Sequence, residues 1–113
     1  MPDNNARENL LDLLDKKAFD PVLKASPDDY SNESDKKKLQ DVQATTRSTQ
    51  QSYHEKYKTA KDVLDNFRSD LNSHAAKKVH GELRDLGLPT VNDIKDEFEN
   101  LADRLGVKQQ GKR

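Results

Sequence analysis

Cysteine and tryptophan are absent from this chain of 113 residues. Without cysteine there can be no disulfide framework, no thiolate metal centre and no cysteine nucleophile. Long apolar runs are absent as well. The longest is two residues, as at Leu10-Leu11, whereas a membrane-spanning helix takes about 20. The opening Met1-Pro2-Asp3-Asn4-Asn5 has neither the positive n-region nor the apolar h-region of a signal peptide. The expectation is a cytoplasmic protein that does not engage a membrane. Glycine and proline are scarce, at four each, and the β-branched residues do not alternate in strand fashion. Helix is what remains, in one domain at this length.

What the chain does hold is charge. Charged residues make up 36% and hydrophobic ones 31%, with a formal net charge of −1. Leu, Ile, Val and Phe number 23, about a fifth of the total, which lies at the compositional edge of disorder. The near-zero net charge pulls back toward folding. Burying one such side chain stabilises by roughly 1.5–3 kcal/mol, while ordering each residue costs about 1.5 kcal/mol. So thin a balance implies a slim bundle, or one completed by a partner or a second copy.

Caps and breakers divide the chain into helical segments. The first runs from about Asn5 to Ala18, with Leu10, Leu11, Leu13 and Leu14 on one face and Phe19 beyond. Asp20-Pro21 is expected to break it, because proline disfavours helix in the residue before it. Residues 25–34 read as a loop. A second segment, Asp35 to Tyr57, carries a stripe with helical period but half-polar content: Leu39, Val42, Thr46, Thr49, Tyr53, Tyr57. Such a helix is either exposed or rests on something outside this chain. Thr59 and Asp62 have capping-box spacing and start a third helix with Val63, Leu64, Phe67 and Leu71. Asn72-Ser73 caps a fourth, from about His74 to Leu86. Gly87-Leu88-Pro89 is a helix stop, and Thr90 with Asp93 starts the last helix, whose stripe is Val91, Ile94, Phe98, Leu101 and Leu105. Gly81, inside the fourth helix, costs about 1 kcal/mol relative to alanine; close approach of another helix would explain it.

Charge is unevenly spread. Residues 1–35 hold a net −5 and residues 36–61 a net +5. The plain reading is that the two stretches attract each other within one fold. Lys36-Lys37-Lys38 stands where a helix dipole prefers anions, so its lysines either pair with the nearby acids or meet a phosphate. Tyr53 and Tyr57 share a face and either close the end of the bundle or stack on a base.

Other sites fail on spacing. His54-Glu55 opens like a zinc-protease motif, but position 58 is Lys; His74 and His80 are six apart and fall on different faces. His80, beside Val79 and Leu83, reads as a boundary histidine. The last two helices resemble a helix–turn–helix in outline, yet Asp93, Asp96, Glu97, Glu99 and Asp103 would repel phosphate from the second. There is no nucleophile elbow and no glycine-rich phosphate loop.

The expected fold is all-α: a small bundle of four or five helices, one domain over residues 1–107, with a disordered tail over 108–113. The expected function is that of a non-enzymatic interaction or regulatory module that meets a partner protein or itself, with no cofactor and no metal. The alternative is nucleic-acid or polyanion binding through the basic stretch 36–61, using Lys36, Lys37, Lys38, Arg47, Lys56 and Lys58 with Tyr53 as the stacking ring. Both readings assume one apolar seam and no crevice ringed by ionisable groups.

Overall fold

Caps set the helix boundaries. In the computed structural model, which describes residues 2–107 and the side chains from Asn5 onward, the order is α1 (Pro2–Leu14), α2 (Asp20–Lys24), α3 (Glu33–Glu55), α4 (Ala60–Asn72), α5 (His74–Asp85) and α6 (Lys95–Arg104). Asn32, Thr59 and Ser73 each accept a backbone N–H at the starts of α3, α4 and α5. Ser73 is extended (φ −73°, ψ 153°), which separates α4 from α5 without a proline or glycine. Thr90 and Asp93 form a reciprocal capping box before a 3-10 turn, Val91–Ile94, that leads into α6. The stop after α5 closes as the sequence predicts: Gly87 has φ +74°, its N–H reaches the Arg84 carbonyl at 3.0 Å, and the Leu88 N–H reaches that of Leu83 at 2.8 Å. The fold is an all-α bundle, with no strand and no helix long and apolar enough to cross a membrane among the described residues. The expected disordered tail, 108–113, lies outside them.

Two expectations change. The first helix does not stop at Asp20-Pro21. The chain widens into a π-helical turn over Asp15–Phe19 and continues as α2, with Pro21 near its start. Proline in a regular helix removes one hydrogen bond and collides with the carbonyl four residues back. The wider turn, closed by the Asp20 N–H on the Asp15 carbonyl, accommodates it. The expected close approach at Gly81 is also absent. A Cβ built there meets nothing within 4 Å, so no helix approaches it. Gly81→Ala is expected to stabilise by about 1 kcal/mol, seen as a higher urea midpoint with unchanged slope; a destabilised variant would contradict this.

The apolar residues form two clusters, not one seam. The larger joins α1, α4 and α6, with Leu10, Leu14, Leu64, Phe67 and Phe98 at its centre and Phe19 and Tyr53 at its edge. The smaller joins Val22, Leu39, Val42, Leu83 and Leu86. Tyr30 closes it by donating to the Leu86 carbonyl at 2.7 Å. Leu13, Val79, Leu101 and Leu105, apolar residues at helical spacing, are only half-buried. The 23-residue α3 bridges the clusters. Its Leu39 and Val42 belong to the small one, its Tyr53 to the large one, and Thr46 and Thr49 lie between. The half-polar middle of its stripe therefore corresponds to a gap between two cores.

A cavity between α3 and α5

That gap is a cavity of about 180 Å³. Thr45, Thr46 and Thr49 of α3 form one wall and Ala75, Ala76 and Val79 of α5 the facing one. Ala18 and Phe19 come from the π-helical turn, and Asp70, His80 and Thr90 supply polar groups. Every wall residue of α5 from 75 to 79 is small or β-branched, so the two helices cannot fill the space between them. The mouth is at the surface, because Thr45, Ser73 and Ala75 are exposed.

The polar groups are partly committed. The Tyr53 hydroxyl, on a residue 1% exposed, donates to Asp70 Oδ2 at 2.6 Å. Asn92 Nδ2 donates to His80 Nδ1 at 2.9 Å, and the Asn92 N–H is held by Thr90 Oγ1 at 3.1 Å. With Nδ1 accepting, a neutral His80 carries its proton on Nε2. Three atoms are left over: Asp70 Oδ1, His80 Nε2 and the Thr46 hydroxyl make no hydrogen bond to a described residue. Thr46 is 6% and His80 7% exposed. No side-chain polar atom shut off from solvent lacks a partner among the described residues, so these three keep some exposure, and all three residues line the cavity.

Burial sets the titration of the group. It raises the Asp70 carboxyl above the ordinary 3.8, against the opposing pull of the Tyr53 hydrogen bond and of His80. Burial, with Arg84 nearby, lowers His80 below 6.5. Burial and the neighbouring Asp70 push the Tyr53 hydroxyl far above its usual range. A carboxyl that holds its proton more tightly in the native state contributes stability fully below its unfolded pKa and loses that contribution as pH rises through the folded value. At neutral pH, ionised Asp70 therefore destabilises the fold. Asp70→Asn keeps the shape and an acceptor for Tyr53, and is expected to melt above the wild type near pH 7 and to converge on it below about pH 4. Thermal melts across this range test it; a lower midpoint for the variant near pH 7 would contradict it.

The residues singled out from the sequence are scattered. Lys36 lies 3.6 Å from Glu33 and Lys38 3.2 Å from Asp85. Lys37, Arg47, Lys56 and Lys58 are exposed and form no ion pair with a described residue. At 1.5 Å per residue, Lys36 and Lys56 stand about 30 Å apart along α3. Tyr53 does not offer a stacking face, because packing against Phe19 and Tyr57 buries its ring. Among the described residues, acidic side chains of the first third bond or pair with side chains of 36–61 through Asp15 and His54, at 2.9 Å, through Asp15 and Asp20 on Gln50 and through the local Glu33–Lys36 pair. The expected mutual attraction of the two stretches is thus slight. No group of three His, Asp or Glu side chains is placed to hold a metal among the described residues.

Asp70 escaped the sequence reading. The signal was present: it follows Phe67 by three residues and Val63 by seven, which puts a carboxylate on the apolar side of α4. No protein-family model, curated protein or solved structure matches the chain.

Proposed function

We propose that this chain is a small non-enzymatic interaction module and that the cavity between α3 and α5 receives an anchoring side chain of a partner protein. The observation that carries this reading is the gap itself. Two cores are joined by a helix whose middle presents threonines to small α5 residues across 180 Å³ of unfilled space. Protein interfaces concentrate their affinity in a few side chains seated in such pockets. Its proposed setting is the cytoplasm.

A catalytic reading has less support. Covalent catalysis needs a nucleophile hydrogen-bonded to its base. Here Asp70 is hydrogen-bonded to a tyrosine and His80 to an asparagine, and among the described residues neither is hydrogen-bonded to a serine or threonine hydroxyl. Polyanion binding also has less support, since its cations are strung along α3 and its aromatic ring is buried.

Affinity capture from the source cell, comparing the wild type with an Ala76→Trp variant whose indole fills the cavity, tests the proposal. A protein retained by the wild type and lost with the variant supports it. A chain that is strictly monomeric by light scattering, and that retains nothing the filled variant does not also retain, counts against it.

A further inference from the structure

We propose that the side chain received by the cavity is basic: a lysine or arginine of the partner, with its alkyl stem along the α3 and α5 walls and its charged head against Asp70. This inference rests on the reading of the cavity as an anchor site and adds the chemistry of the anchor. The first ground is charge. Among the described residues no lysine or arginine lines the cavity, and Asp70 is the one formally charged lining residue at neutral pH. Asp70 takes part in no ion pair among the described residues, and its Oδ1 accepts no hydrogen bond from them. A carboxylate held away from bulk water without a counter-charge is costly, and an entering cation offsets that cost.

The second ground is the unused polar lining. Thr46, a residue 6% exposed, lines the same space, and its hydroxyl has no hydrogen-bond partner among the described residues. A hydroxyl and a carboxylate oxygen both accept hydrogen bonds from an ammonium or guanidinium. The third is shape. The walls at Ala75, Ala76 and Val79 are apolar where a stem of three or four methylenes would lie, and lysine and arginine bury such stems along apolar surface. An engineered cavity of about 150 Å³ holds benzene, so 180 Å³ holds one long side chain. Small-molecule sites bury most of their ligand on all sides; this one opens beside exposed Thr45 and Ala75, which leaves room for a backbone to remain outside. One feature opposes the assignment. The N-terminus of α5 adjoins the cavity and by itself favours an anion. Asp70, three residues before the Ser73 cap, already meets that preference.

The test is an amide NMR titration with four fragments of similar size: n-butylguanidinium, n-butylammonium, 1-pentanol and pentanoate. Both cations are expected to shift the amides around Ala76 and His80 and to bind about ten-fold more tightly than pentanol or pentanoate, with the preference fading as salt rises. Asp70→Asn, expected to stay folded, should remove the preference, and Ala76→Trp should remove binding of all four. Pentanol binding as well as the cations, or pentanoate binding better, overturns the charge assignment while leaving the cavity as an anchor site. Binding of none of the four overturns both. Acetyl-Gly-Arg-Gly-amide separates a partner's side chain from a free amine. If it binds at least as tightly as butylguanidinium the side-chain source is supported; if it is excluded, the cavity serves a free cation and the partner assignment falls.

Discussion

Phe98→Ala is expected to remove about 3–5 kcal/mol of stability, the largest loss from any single truncation discussed for this chain. Phe98 is fully buried and stacks on Phe67 with ring centroids 3.9 Å apart and planes 17° from parallel. The pair joins α4 to α6, and α6 is only ten residues long. An isolated helix of that length is marginal in water, so its persistence depends on packing, through this stack and against α1. Alanine leaves a cavity that the neighbours Phe67, Leu64 and Leu10 can close only by moving helices. A domain of this size has a total stability of about 5–15 kcal/mol, so the variant sits near its unfolding threshold. Its thermal midpoint is expected to fall by at least about 12 °C. A loss below about 1 kcal/mol would mean that α6 is held by something other than this stack.

Arg7→Ala is expected to cost about 1.5–3 kcal/mol, the range for hydrogen bonds from a charged donor. Its guanidinium closes the C-terminus of α3: Nε donates to the Tyr57 carbonyl at 2.7 Å, and one terminal nitrogen to those of His54 at 2.7 Å and Tyr53 at 3.4 Å. The last carbonyls of a helix lack partners within it and carry its negative end, so a cation there acts on both counts. Arg7→Lys should recover less than half of the loss, because an ammonium lacks the planar fork that serves two diverging carbonyls. Urea unfolding measures the loss as a lower midpoint at unchanged slope. Amide exchange should quicken first around residues 53–57. A lysine variant as stable as the wild type would show that charge alone suffices. The contact also bears on the cavity, since the turn that Arg7 fixes carries Tyr53, whose hydroxyl holds Asp70.

Local chemistry was legible in the sequence. Thr59, Ser73 and Thr90 marked helix starts, and Gly87-Leu88-Pro89 marked a stop, because each acts on backbone groups within a few residues. The stripe that runs from the 3-10 turn into α6 was legible for the same reason: Val91, Ile94 and Phe98 repeat at the helical period, and a period needs no partner to be seen. The short reach of these signals also explains the errors. Pro21 was read as a break because a regular helix cannot hold it, and nothing in the neighbouring residues announced the wider turn. Gly81 was assigned a neighbour because a glycine in a helix suggests one.

By itself, then, the sequence determined the all-α class and the helix ends marked by caps and by the glycine stop, since hydrogen bonding and capping are decided by residues three to five apart. Tertiary structure alone decided that Arg7 closes a helix some fifty residues away, that Thr46 lines a gap between two cores, and that Asp70, at its wall, meets Tyr53. These are matters of how helices lie against one another, which depends on side-chain volumes summed over the whole bundle. The residues bordering the cavity are individually ordinary. Small side chains on α5 facing threonines on α3 leave space only once both helices are in place, so no motif could announce the site.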